Sequence, residues 1–176
     1  MIDYTIPHQS EARTIAQFML HSWRDAFADF VPEEVLAKET VDGIGARWQQ
    51  HLANPARNIL AAYDDQMLVG IILYAKAKPR YVPQADGHIT SLYVDQRVHG
   101  QGIGKQLLTR AAREWLMCGG QSLSVGVLRD NLKARAFYEA TGATLHSEGV
   151  FCWHGHDLAE LIYHYADLKS LAANAG

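Results

Sequence analysis

Three glycines alternate with other residues in the run Leu92-Tyr93-Val94-Asp95-Gln96-Arg97-Val98-His99-Gly100-Gln101-Gly102-Ile103-Gly104-Lys105. An apolar strand ends on one side of them and a helix begins on the other. The helix, expected over 102–118, carries Ile103, Leu107, Leu108, Ala111, Ala112, Trp115 and Leu116 on one face, the spacing of an amphipathic helix laid on a core. Glycine has no Cβ, so several backbone N–H groups in such a turn can converge on one anion. The start of the helix adds unpaired N–H groups and the positive end of its dipole. A strand, a glycine turn and a helix in this order point to an α/β fold in which the turn reads as a cradle for a pyrophosphate, against the plainer reading of a glycine-rich turn that serves only chain geometry.

Two familiar phosphate motifs do not fit. The dinucleotide pattern G-x-G-x-x-G would need glycine where Lys105 stands. The P-loop would need Ser or Thr where Gln106 stands, and a leading glycine where His99 stands.

The rest of the chain supplies the elements around the turn. Residues 2–6 read as a short strand. Ser10 is expected to cap a helix running through Trp23 and Phe27, and Pro32 with Glu33 and Glu34 marks a helix start. A second helical stretch carries Trp48 and stops near Asn54-Pro55. Residues 58–63 and 67–76 form a hairpin around Asp64-Asp65-Gln66. Residues 77–87 form a loop with Pro79 and Pro83, and 88–94 a strand. Residues 122–128 are a strand, and Asp130 or Asn131 caps a helix that ends at Gly142. Two last strands, 143–153 and 158–165, are joined by His154-Gly155-His156-Asp157. Hairpins force antiparallel pairs and helical crossovers allow parallel ones, so the sheet is mixed, with six to seven strands flanked by four helices.

Residues 92–105 resemble the coenzyme A-binding signature of the GNAT superfamily of N-acetyltransferases, a strand followed by Q/R-x-x-G-x-G/A and a helix. His99, Gly102 and Gly104 take its fixed positions, with His99 a departure from the usual Arg or Gln; Arg97, Gly100 and Gly102 match the same string one frame earlier. A second run, Asn131-Leu132-Lys133-Ala134-Arg135-Ala136-Phe137-Tyr138-Glu139-Ala140-Thr141-Gly142-Ala143, is similar to the family's N-x-x-A-x-x-F-Y-x-x-x-G-F, with Ala143 in place of the last Phe. The resemblance spans roughly residues 1–165 and is loosest in the first third.

The resemblance implies a GNAT-like fold forming one acetyltransferase domain over 1–176, and acetyl-CoA as co-substrate. It implies that Gly100, Gln101, Gly102, Gly104 and Lys105 hold the pyrophosphate, helped by His99, while the backbone of Tyr93 and Val94 follows the pantetheine arm. The Val94 N–H would polarise the thioester carbonyl. Asn131 would contact the coenzyme, and Tyr138, seven residues on and so on the same helix face, would protonate the departing thiolate. The base is less well marked. His88 stands near the start of the strand entering the glycine turn, and an ordinary imidazole pKa of ~6.5 suits proton removal at neutral pH; a polar strand-start residue is its plainer reading, and Tyr74, Glu34 and Asp86 stay open as alternatives. Trp23 and Phe27 are candidates for an aromatic wall at the acceptor, against the commoner role of core packing. Cys152, His154 and His156 alternate beside Asp157, but alternation is common in any strand and no metal is expected.

Composition narrows the partners. Sixteen basic and 19 acidic residues give a formal charge of −3 in a chain of 176, which argues against a nucleic-acid partner held by a general basic field. No apolar run approaches the ~20 residues of a membrane span. Two cysteines without C-x-x-C spacing fit a reducing cytoplasm. The expected acceptor is a primary amine: a small amine, an amino-acid derivative or a peptide N-terminus. A homodimer is allowed. Two other readings compete, a non-catalytic acyl-CoA-binding or regulatory module and a toxin that acetylates aminoacyl-tRNA. The charge counts against the second.

Overall fold

A computed structural model describes residues 1–77 and 85–173. Most of the loop expected over 77–87, including Pro79 and Pro83, therefore lies outside the described residues. Seven strands hydrogen-bond in the order β1-β2-β3-β4-β5-β7-β6. They are β1 (Ile2–Thr5), β2 (Arg57–Asp64), β3 (Met67–Lys76), β4 (Gly87–Val94), β5 (Leu123–Leu128), β6 (Thr144–Trp153) and β7 (His156–Tyr165). The β4–β5 pair is parallel, while β1–β2, β5–β7 and β6–β7 are antiparallel. The mixed sheet expected from the sequence is thus present. Its four long helices are α1 (Ala12–Phe27), α3 (Val41–Ala53), α4 (Ile103–Met117) and α5 (Leu132–Ala140), joined by two short ones, α2 (Glu33–Leu36) and α6 (Leu168–Ala173).

The chain divides into two compact units, one of residues 1–73 and 91–107, the other of 74–90 and 108–176. In the first unit, α1 and α3 bury Ala12, Ile15, Ala16, Met19, Ile44 and Trp48 against Ile59, Ala61, Leu68, Ile71 and Leu73 of β2 and β3. The start of α1 differs from expectation. Ser10 is not its cap; His8 accepts the Ser10 N–H and Glu11 reaches back to the His8 N–H at 2.6 Å, a capping box that closes a 3-10 turn ahead of the helix. Gly70 in β3 lets the first turns of α4 approach: a Cβ there would lie 3.0 Å from Leu107 Cδ1 and 3.2 Å from Ile103 Cγ2.

In the second unit the period-2 alternation of β5 and β7 separates two faces. Leu123, Val125 and Val127 stand opposite Tyr165, Tyr163 and Leu161, all buried. Helix α5 is tied to this face by the Tyr163 hydroxyl donating to Glu139 Oε1 at 2.6 Å and by Thr141 Oγ1 paired with Tyr165 Oη at 2.6 Å. The other face carries Ser124 opposite His164, Gly126 opposite Ile162 and Leu128 opposite Glu160. The β6–β7 connection is tighter than expected. His154 and Gly155 alone form it, both at positive φ (51° and 84°), as a type I′ hairpin requires, so His156 and Asp157 already belong to β7.

Candidate active site

The glycine turn is built from backbone in the way the sequence suggests. Gly100 and Gly102 both have φ of +80°, and a Cβ on either would meet no protein atom within 4 Å. L-residues avoid this conformation by about 1–2 kcal/mol, so glycine serves the path of the chain here. Helix α4 follows at once, with no acidic side chain in its first turn. Its N-terminal N–H groups and dipole are thus not neutralised by the helix itself. Lys105, in that turn, is exposed and cationic. Backbone donors, a positive helix end and open space over two glycines suit a polyphosphate such as that of coenzyme A.

A carboxylate fixes the entry to this turn. Asp95 is 4% exposed, its N–H donates to Val69 O at 2.9 Å, and its Oδ1 accepts the Arg97 N–H at 2.9 Å. The Arg97 guanidinium closes back on both carboxylate oxygens. These bonds from Arg97 hold the Asp95 carboxyl below its usual pKa of 3.8, against the opposing effect of burial. Sequence alone assigns Asp95 no role, although Asp-x-Arg after a strand is a local capping pattern that marks it. His99, expected to help hold phosphate, turns its Nε2 to the carbonyl oxygen of Val94 at 2.9 Å. It thereby satisfies the end of β4.

Tyr93 is the hub of the aromatic residues in this unit. Its ring lies 6.4 Å from that of Trp23 and 6.4 Å from that of Phe27, both edge-on. Burial pushes its phenol up to about 12, with a bond from Trp23 working the other way. Phe27 is buried and also meets Phe30 at 5.8 Å. The Arg47 guanidinium lies 5.9 Å from the centre of the Trp23 ring, so one cation–π position there is taken by the chain itself. Glu34, one of the alternative bases, is an exposed first-turn acid of α2.

The second unit holds the other named residues. Tyr138 is 6% exposed on α5, with its ring edge-on to Phe137 at 5.2 Å. Asn131 caps α5, its Oδ1 accepting the Ala134 N–H at 3.1 Å, which commits the oxygen and presents the amide nitrogen as the donor. His88 is half-buried on β4, in register with Ser124 of β5, and its Nδ1 lies 2.9 Å from Ser124 Oγ.

Two alternative bases lose that role. Asp86 accepts from Trp115 Nε1 at 2.8 Å, the Gln121 N–H at 2.6 Å and the Ser122 N–H at 3.1 Å. These bonds outweigh burial and leave its carboxyl below the usual range, a poor proton acceptor that staples the start of β4. The Tyr74 hydroxyl donates to Glu114 Oε2 at 2.6 Å, and burial pushes it far up. Among the described residues, no group of three His, Cys, Asp or Glu side chains is placed to hold a metal ion. Cys118 and Cys152 are exposed and outside any disulfide.

The sequence profile of the acetyltransferase (GNAT) family matches residues 17–143. An uncharacterised N-acetyltransferase of Mycobacterium tuberculosis is 27% identical over 123 residues, covering 68% of this chain and 74% of its own. The uncharacterised N-acetyltransferase YuaI of Bacillus subtilis is 24% identical over 163 residues, 92% of this chain and 91% of its own. Among solved structures, the PaiA N-acetyltransferase of Thermoplasma acidophilum, in complex with coenzyme A, superposes with a TM-score of 0.72 at 19% identity, over 94% of this chain and 99% of that one. YncA of Salmonella typhimurium, with acetyl-CoA, gives 0.69 at 15% identity over 94% of each.

Proposed function

Because the chain belongs to the acetyltransferase (GNAT) family, we propose that it moves the acetyl group of acetyl-CoA to a primary amine by direct attack. The acceptor is a small amine, an amino-acid derivative or a peptide N-terminus. The observation that carries the reading is the turn of two positive-φ glycines, open above both Cβ positions, at the start of a helix without an acidic first turn. Gly100, Gln101, Gly102, Gly104 and Lys105 hold the pyrophosphate, and the strand end at Tyr93 and Val94 aligns the pantetheine arm. Asn131 gives the coenzyme a further polar contact through its amide nitrogen.

His88 takes the proton of the amine as its lone pair attacks the thioester carbon. The Val94 N–H donates to the carbonyl oxygen, where negative charge grows, the kind of preorganised contact most useful in the transition state. As the C–S bond breaks, Tyr138 gives its phenolic proton to the sulfur. The products are an N-acetyl amine and free coenzyme A thiol. The segment around Trp23 and Phe27, joined through Tyr93, serves the acceptor. In this reading residues 1–176 form one acetyltransferase domain, working in the cytoplasm. No helix among the described residues is long and apolar enough to cross a membrane, and both thiols are exposed. A homodimer is part of the proposal, supported by exposed Leu145, Val150 and Phe151 on the sheet-end strand β6; light scattering that gives a monomer at all concentrations sets it aside.

A panel of amines, amino-acid derivatives and peptides assayed for thiol release from acetyl-CoA tests the activity. Amine-dependent release with one acceptor class preferred is the expected result. Coenzyme binding with no turnover on any amine would replace the reading with an acyl-CoA-binding module.

A further inference from the structure

Strand β6 closes one end of the sheet, and the hairpin that joins it to β7 fixes which of its main-chain groups are used. The residues flanking a two-residue hairpin exchange both of their hydrogen bonds, so Trp153 and His156 form such a pair around His154 and Gly155. Counting back along the register, Phe151, Gly149 and Ser147 also turn their N–H and C=O groups to β7, opposite Leu158, Glu160 and Ile162. Cys152, Val150 and Glu148 turn theirs away, to the side where no described strand lies. The Arg129 N–H agrees with this parity: it donates at 2.8 Å to the carbonyl of Ala159, the residue opposite Val150, which therefore faces β5. The register slips between Leu145 and Ser147, a bulge that ends the regular pairing. The regular run is thus 147–153, and Val150 is its midpoint. Sheet edges are commonly guarded by lysine, proline or an inward-pointing charge. The run Ser147-Glu148-Gly149-Val150-Phe151-Cys152-Trp153 has no proline and a single charge, and that charge is held by Arg129 at 2.6 Å. Val150 is 65% exposed and Phe151 43%, one on each face of the strand.

We propose that the outer edge of β6 is the interface with a second copy of this chain: residues 147–153 of the two copies pair antiparallel about a two-fold axis through Val150, so that two sheets become one. This rests on the reading of the chain as a homodimer. The axis places Val150 opposite Val150 of the partner subunit, and Glu148 opposite Cys152 of the partner subunit. Each such pair exchanges two bonds, which gives about six main-chain hydrogen bonds. Sliding one copy by two residues carries one end of the run into the bulge or the turn and leaves about four, so the centred register is preferred. Glu148 meets no like charge, because its own image lies four residues along the edge. On the other face of the strand, Phe151 stands opposite Gly149 of the partner subunit in a close, non-hydrogen-bonded pair, with Cα atoms ~4.5 Å apart. An aromatic ring there covers a glycine that has no side chain of its own.

Sedimentation equilibrium and directed disulfide formation test the pairing. The wild-type chain should show a concentration-dependent monomer–dimer equilibrium. Val150→Lys removes two apolar side chains from the axis and opposes two ammonium groups there. It should raise the dimer dissociation constant about tenfold or more, with thermal melts to show that the chain stays folded. Met117→Lys changes an apolar residue that is 79% exposed on α4, away from this strand, and should leave the equilibrium as it is. Glu148→Cys sets a new thiol opposite Cys152 of the partner subunit at a Cα separation of about 5.5 Å, which suits a disulfide. With oxidised glutathione as oxidant it should give a covalent dimer. The wild type and Glu148→Cys/Cys152→Ser should not, because their like thiols stand four residues apart, about 13 Å along the strand. Cys118 is exposed and present in all three proteins, so its background is common to them. A wild-type monomer at every concentration overturns the homodimer reading and the pairing together. The pairing alone is overturned by a dimer that folded Val150→Lys leaves intact, or by one in which Glu148→Cys yields no more covalent product than the two controls.

Discussion

Replacing Gly102 with Val puts a side chain where the phosphate-binding reading needs bare backbone. The structure separates the two costs of the change. A Cβ at Gly102 meets no protein atom within 4 Å, so there is no clash to resolve on folding. What remains is the conformation: φ of +80° costs an L-residue about 1–2 kcal/mol. For a domain of this size that is about 2–8 °C in Tm, and the protein should stay folded. A bound pyrophosphate must come close to the N–H groups that the new side chain would shield. Losing one charge-assisted bond of about 1.5–3 kcal/mol corresponds to roughly ten- to a hundredfold weaker coenzyme binding. Gly119 provides the control. It has φ of +87° and an equally open Cβ position, just past the last turn of α4, so Gly119→Val carries the same strain without touching the cradle. Calorimetric titration of acetyl-CoA into both variants, with thermal melts alongside, reads the two effects separately. Unchanged affinity in folded Gly102→Val, or equal loss in Gly119→Val, would refute the argument.

Tyr138→Phe should keep coenzyme affinity and lower turnover by roughly 10²–10⁴, the range for a positioned acid; turnover within twofold of the parent removes Tyr138 from the mechanism. Asp95→Asn should cost about 1–2 kcal/mol in urea melts, because a charged acceptor of several buried bonds becomes a neutral one, and parental stability would show that the Arg97 clamp is idle. Gly120→Ala should destabilise by about 1–3 kcal/mol, since its Cβ would fall 2.1 Å from Trp115 Nε1 and displace the indole that donates to Asp86; an unmoved midpoint would contradict that packing. Stability should also depend on pH in two separate windows. His164 is held below its ordinary 6.5, first by burial and then by nearby His146, so the unfolded chain takes up its proton first and stability falls as pH drops through about 6.5 toward the folded value. His164→Gln should flatten that slope in melts between pH 7.5 and about 5.5. Asp86 and Asp95 have folded pKa values below 3.8, so their contribution is intact above that value and lost only as pH falls through the lower folded values.

Sequence and structure agree best where one period dominates. Of the face expected on α4, Ile103, Leu107, Leu108, Ala111 and Ala112 are buried while Trp115 and Leu116, in the last turn, are half-buried, because a helix laid on a core leaves that stripe little other choice. The glycine turn is legible for a similar reason: glycine takes the φ that the turn requires without the cost an L-residue meets there. Sequence and structure differ where an uncommon residue takes a common role. His8 caps in place of Ser10, and His154 takes a hairpin position usually given to Asn or Asp. Helix α6 passed unnoticed, although Asp167 accepting the Lys169 and Ser170 N–H groups is an ordinary cap. Sequence offers Asp86 only as an alternative base, and neither its staple to the residues ahead of β5 nor the contact between Ser124 and His88 is marked there. Both depend on strand register and on loop closure across more than thirty residues, and no local pattern encodes those.

A ligand site made of main chain, as proposed for the glycine turn, would have an unusual relation to mutation. At Gly100 and Gly102 every L-side chain is strained, while the neighbouring Gln101 and Lys105 present only exposed side chains. A saturation library selected for coenzyme binding should therefore show two nearly forbidden positions with permissive ones beside them. Surface charge and acceptor preference could then drift across the rest of the chain while the proposed handle for the acetyl donor persists, since its grip would be on main-chain N–H groups, which among substitutions only proline removes.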